Sequence, residues 1–127
     1  MNDPDLAGYH IFLAEDEHLV AKTLARLLQI WGARIVGPAP TLDKARTLVA
    51  SADDIDAAIV DVNLRGEIAF PLADALLTRG ALLIFTTGYD PLALPERYRC
   101  ISTLEKPYNP HELASVLRPL TTERGQP

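Results

Sequence analysis

The chain of 127 residues is short of several things at once. It has a single cysteine, Cys100, so an intramolecular disulfide is impossible and a cysteine-built zinc cluster is excluded. It has no basic excess: 12 Lys and Arg stand against 17 Asp and Glu, a net charge of −5. Such a chain has little with which to neutralise a phosphate backbone, which argues against non-specific nucleic-acid binding. No apolar run approaches the roughly 18 residues that a membrane helix needs. The three histidines, His10, His18 and His111, offer no pair with metal-ligand spacing on one face. Internal repeats and low-complexity tracts are absent. No P-loop or dinucleotide fingerprint follows the first strand, so Gly37 and Gly66 read as turn positions. Met1-Asn2-Asp3-Pro4-Asp5 is acidic and polar, unlike a secretory signal. A cytoplasmic protein is expected.

What is present suits one globular domain. The length allows a normal core, and 48% hydrophobic with 23% charged residues is an ordinary soluble composition. The domain is expected to fill 1–127, with its core over about 9–120 and a frayed polar tail over 121–127. Short apolar runs alternate with amphipathic stretches. Tyr9–Ala14 reads as a buried strand. Val20, Leu24, Leu27, Leu28 and Trp31 recur at helical spacing until Gly32. Ala33–Gly37 is the next strand, and Thr41 caps a helix with Leu42, Ala45, Leu48 and Val49 inward. Ile55–Val60 is a strand ending at Asp61, followed by a loop over 62–67. A helix over about 70–79 leads to the strand Ala81–Phe85. Pro91 and Pro95 rule out a long helix over 88–99. Cys100–Leu104 is the last strand, with Cys100 as a small core residue. Asn109-Pro110-His111-Glu112 opens the final helix, with Leu113, Val116, Leu117 and Leu120 inward.

Such alternation means βαβ units, a parallel sheet covered on both faces, and right-handed crossovers. Ligands in open doubly wound sheets sit at the carboxyl ends of the strands. The polar residues at those ends are Glu15 and Asp16, Asp61, Thr86 and Thr87, and Glu105 and Lys106. Three carboxylates converging on one edge raise one another's pKa. A hard divalent cation relieves that repulsion, and oxygen-only ligands favour Mg²⁺. A carboxylate there can attack a phosphoryl group and form an aspartyl phosphate. The transfer asks for in-line positioning and neutralised oxygens. Mg²⁺ would take one oxygen, the Lys106 ammonium a second, and the Thr87 hydroxyl with nearby backbone N–H groups the third.

Leu13-Ala14-Glu15-Asp16-Glu17, Ile59-Val60-Asp61-Val62-Asn63-Leu64, Phe85-Thr86-Thr87-Gly88-Tyr89 and Lys106-Pro107-Tyr108, in that order, resemble the receiver domains of bacterial two-component systems. The resemblance runs from about His10 to Leu120. It implies a flavodoxin-like α/β fold, a doubly wound five-stranded parallel sheet of order 2-1-3-4-5, in which Pro91 and Pro95 leave the fourth helix short or irregular. It implies Asp61 as phosphoacceptor, with Lys106 and Thr87 as its catalytic partners. Asp16 and Asp61 would bind Mg²⁺ directly, Glu15 through water and Asn63 by its backbone carbonyl. Thr87, Tyr89 and Pro107 are the switch candidates, with a cis bond into Pro107. The run Phe85-Thr86-Thr87-Gly88-Tyr89-Asp90 is similar to the FAT-GUY subgroup, although Thr86 takes the Ala place and Tyr89 follows Gly88 directly. Members of that subgroup are often stand-alone proteins of stress-response phosphorelays.

The implied function is that of a single-domain response regulator, a signalling protein rather than an enzyme. A sensor histidine kinase or a histidine phosphotransfer protein would donate the phosphoryl group. A downstream protein of unknown identity would read it, or the chain would relay or drain it. One departure stands out. Typical receivers carry Tyr or Phe three residues before the lysine, and here that position is Thr103, leaving Tyr89 and Tyr98 as the nearby aromatics. A short segment that switches between order and disorder is expected over 90–99. Two alternatives stay open: a Mg²⁺-dependent phosphatase with an aspartyl intermediate, and a binding-only pseudo-receiver. Against the first, Asn63 stands where such enzymes place a second carboxylate. Residue by residue, Glu15 to Glu17 also fit a solvated helix start, Asp61 a turn, and Lys106-Pro107 a surface turn.

Overall fold

The computed structural model describes residues 3–88 and 94–124, with backbone alone for 122–124. Five strands form one parallel sheet: β1 (His10–Ala14), β2 (Arg34–Ala39), β3 (Ala57–Asp61), β6 (Leu82–Thr87) and β7 (Ser102–Glu105). Their order is β2-β1-β3-β6-β7, the doubly wound order expected from the sequence. The loop expected over 62–67 is instead a small antiparallel hairpin, β4 (Asn63–Leu64) with β5 (Glu67–Ile68). Arg65 and Gly66 both take positive φ at its tip, 52° and 87°, the two-residue turn that matches strand twist.

Alternating side chains along the strands feed two cores. Phe12, Val60, Leu83 and Phe85 pack toward α2 (Leu42–Ser51) and α3 (Phe70–Thr78). Ile11, Leu13, Ile59 and Ile84 pack toward α1 (His18–Ile30) and α4 (Pro110–Arg124). The helix boundaries follow local chemistry. The Thr41 hydroxyl accepts from the Lys44 N–H at 3.2 Å. Asn109 and Glu112 exchange bonds of 2.8 and 3.1 Å, a reciprocal capping box. Past α1, Gly32 turns the chain at φ +106°, and the N–H groups of Gly32 and Ala33 close on Gln29 and Leu28. Among the described residues, no helix is long and apolar enough to cross a membrane.

Among the described residues, one expectation holds here and one changes. Between β6 and β7 the described residues hold only a 3₁₀ turn, Glu96–Tyr98; of the segment expected to switch over 90–99, residues 90–93 lie outside the described residues. Cys100 is exposed rather than in the core, because Tyr98, wholly buried, fills the interior at this bend. The Ile101 N–H bonds back to the Tyr98 carbonyl, so the last strand begins only at Ser102. The last helix, α4, continues through Arg124 with Pro119 inside it; residues 125–127 lie outside the described residues.

Candidate functional site

Parallel pairing brings the carboxyl ends of β1, β3, β6 and β7 to one edge of the sheet. Asp61 closes β3 opposite Thr86, and Thr87 closes β6 opposite Glu105. Asp61 is 6% exposed. One of its carboxylate oxygens accepts the Asn63 N–H at 3.0 Å, and the other accepts the Lys106 ammonium at 2.7 Å. Glu15, directly after β1 and buried, takes a second bond from the same ammonium at 2.7 Å. Its other oxygen accepts the Glu17 N–H at 3.0 Å, which fixes the turn into α1. Asp16 accepts the Arg65 N–H at 2.9 Å and so ties the β4–β5 hairpin to the site. Oxygens of Glu15, Asp16 and Asp61 lie within 4.8 Å of one another. All three ligand groups offer hard oxygen, so the donor set fits Mg²⁺ or a similar cation.

The electrostatics follow from this packing. Burial pushes the Glu15 carboxyl up, against the bonds from Lys106 and the Glu17 N–H. Burial also opposes charge on Lys106, but the bonds to Asp61 and Glu15 outweigh it and hold the ammonium above the ordinary lysine range. Lys106 is therefore a fixed cation at neutral pH. Its own N–H bonds the Thr87 carbonyl at 2.8 Å, which ties β6 to the lysine turn. The Lys106–Pro107 peptide is cis, as the resemblance implied, and Gly37–Pro38 is a second cis bond.

Of the residues predicted from sequence, Glu15, Asp16, Asp61, Asn63, Thr87 and Lys106 come together, and Pro107 adjoins them. Tyr89 lies outside the described residues. The Asn63 side chain turns away into the hairpin, where its carbonyl oxygen accepts the Gly66 N–H at 2.7 Å. Thr103 is exposed on β7. Three neighbours had not been anticipated. The Glu17 carboxylate reaches within 3.7 Å of the Lys106 ammonium. Tyr108, half-buried beside the site, has its phenol pushed up by burial and then by the charge of Glu15. An open cleft of about 1010 Å³ runs from Asp61 over an apolar wall that includes Leu19, Val20, Ile68 and Leu113. Leu19 is 75% exposed and lies off the inward stripe of α1, which was the available signal.

Solved structures place this architecture among known proteins. SdrG from Sphingomonas melonis Fr1 is 36% identical, over 94% of this chain and 98% of SdrG, with a TM-score of 0.78. The REC domain of the PhyR response regulator from Erythrobacter litoralis is 22% identical over 95% of each chain, with a TM-score of 0.76. A response regulator receiver protein from Sinorhizobium medicae WSM419 is 19% identical, over 91% of this chain and 96% of that one, with a TM-score of 0.75. The last two speak for the fold alone. No protein-family model matches the sequence, and no curated protein matches it.

Proposed function

The chain belongs to the response-regulator receiver family, and from that membership we propose that Asp61 accepts its phosphoryl group, in a Mg²⁺-dependent transfer from a histidine kinase or a histidine phosphotransfer protein. The observation that carries this reading is the Asp61 carboxylate. It is buried at the end of β3, bonded to Lys106 at 2.7 Å and clustered with Glu15 and Asp16.

An Asp61 oxygen attacks phosphorus in line with the donor's P–N bond. That bond breaks, its electron pair goes to the imidazole nitrogen, and an acyl phosphate is left on Asp61. The Asn63 N–H orients the carboxylate, since it holds one oxygen and leaves the group little rotational freedom. Lys106, bonded to Asp61 at 2.7 Å, has its charge already in place beside the acceptor to meet an incoming phosphoryl oxygen. Thr87, at the end of β6, supplies a hydroxyl donor to another oxygen. Bound to Asp16 and Asp61, with Glu15 through water and the Asn63 carbonyl, Mg²⁺ would neutralise negative charge that accumulates on the transferred group. The apolar wall around Leu19 and Ile68 gives a protein donor an exposed apolar surface to cover beside the buried acceptor.

The finer assignment follows the same residues. Phe85-Thr86-Thr87-Gly88 supports a place in the FAT-GUY subgroup and hence a stress-response phosphorelay in the cytoplasm, with output through protein contacts. Thr87 and Pro107 remain the switch positions beside Lys106, and one receiver domain accounts for the chain.

The test is intact-protein mass spectrometry after incubation with acetyl phosphate and Mg²⁺. One added phosphoryl group is expected in the wild type. It should be absent from Asp61→Asn and from a chelator-treated sample. Equal modification of Asp61→Asn would place the acceptor elsewhere.

A further inference from the structure

Tyr98 is wholly buried, although it sits in a short 3₁₀ turn of a surface connection. Its ring stands edge-on to Phe85, with centroids 5.4 Å apart and planes at 88°, and lies 5.0 Å from Phe70. Its hydroxyl donates to the Asp74 carboxylate at 2.5 Å, with the Phe70 carbonyl oxygen 3.1 Å away. Arg97 completes the group from outside. Its guanidinium lies 4.5 Å from the Tyr98 ring centroid and reaches both Asp74 oxygens, at 3.2 and 3.3 Å. The cluster therefore joins β6, through Phe85, to the first turns of α3, through Phe70 and Asp74.

Phe85 and Thr87 lie two positions apart on β6, so they share one face of the sheet. Thr103 is the register partner of Phe85 and belongs to that face too, but it is exposed and carries no ring. The ring beneath this end of β6 comes instead from Tyr98. Unlike a side chain free to turn between two positions, it is fixed by a charge-assisted hydrogen bond and by aromatic contacts.

We infer that Tyr98 is a positioning residue that carries the state of the Asp61 pocket to α3, through the Phe85–Tyr98 ring contact and the Tyr98–Asp74 bond. A shift of Thr87 toward the phosphoryl group displaces the end of β6, the ring moves with Phe85, and its hydroxyl pulls on α3. The responsive surface is then the α3 face bearing Asp74 and Arg97 rather than the β7–α4 face. This rests on Asp61 being the acceptor.

The test compares wild type, Tyr98→Phe and Asp74→Asn after treatment with acetyl phosphate and Mg²⁺. Intact mass first establishes equal phosphoryl occupancy, and amide hydrogen exchange is then read over residues 70–78. In the wild type, phosphorylation is expected to change exchange in α3 by about tenfold, the scale of one charged hydrogen bond. In both variants, at equal occupancy, that change should shrink to less than about twofold. A merely structural role would alter baseline exchange while leaving the phosphorylation-dependent difference intact, and that result overturns the inference. So does a wild type in which only β7 and α4 respond. A wild type that gains no mass removes the acceptor reading, and this inference falls with it.

Discussion

With its ammonium 2.7 Å from carboxylates of both Glu15 and Asp61, Lys106 holds together two acids that would otherwise repel each other. The same logic operates at the other charged cluster, where the sign of a pH effect can be worked out. Asp74 is held below its ordinary value of 3.8 by the bond from Tyr98, then by Arg97. The unfolded chain binds that proton more readily, so the contribution to stability is present above 3.8 and is lost as pH falls through the lower folded value. Its side chain is about half exposed, so solvent screens the effect and it stays small. The expected outcome is that, from about pH 5 to pH 3, the wild type loses more unfolding free energy in urea than Asp74→Asn does. Parallel pH profiles for the two proteins would count against it.

At the scale of elements, the corner between α1 and β2 is tightly constrained. A Cβ added to Gly32 would lie 2.9 Å from the Ala7 nitrogen and 3.1 Å from its Cα, at a φ of +106° that side chains avoid. The Leu6 N–H, in a residue wholly buried, bonds the Trp31 carbonyl at 2.8 Å, so the segment that must yield is itself anchored. Gly32→Ala is therefore expected to cost more than about 2 kcal/mol, conformational strain and overpacking together, in urea denaturation. A loss below about 0.5 kcal/mol would mean that residues 5–7 move aside freely. The helix end was legible because Gly32 follows a clear apolar stripe; its contact with Ala7 was not, since sequence spacing says nothing of what lies across the turn. The capping box at Asn109 was legible for the same local reason. The hairpin at Asn63–Ile68 was not, because strands of two residues carry no periodicity. Cys100 was misplaced because Cys100–Leu104 reads as one strand and its first residue as part of that strand's core, and only the tertiary seat taken by Tyr98 shows where the interior is.

For the whole molecule, topology does most of what site prediction needs. Once the strands are parallel, the last residue of each falls on one edge, and Glu15, Asp16, Asp61, Thr87 and Lys106 meet without further assumption. The cleft walled by Leu19 and Ile68 escaped that logic, since outward apolar residues break the amphipathic pattern instead of extending it. That convergence concentrates negative charge in a chain already at −5, with the half-buried Lys106 as its counterweight. A ligand that binds only the folded state stabilises it by mass action. For Mg²⁺ at about a hundredfold its dissociation constant, the gain is about 2.7 kcal/mol. Thermal unfolding should therefore shift upward with MgCl₂ in the wild type. The shift should largely vanish in Asp16→Asn and in Asp61→Asn, each of which removes one hard oxygen charge. Sodium chloride at matched ionic strength should not reproduce it, because screening acts on every exposed charge alike. The same upward shift in Asp16→Asn, or in sodium chloride alone, would show that the cation acts on the surface at large and not at this pocket.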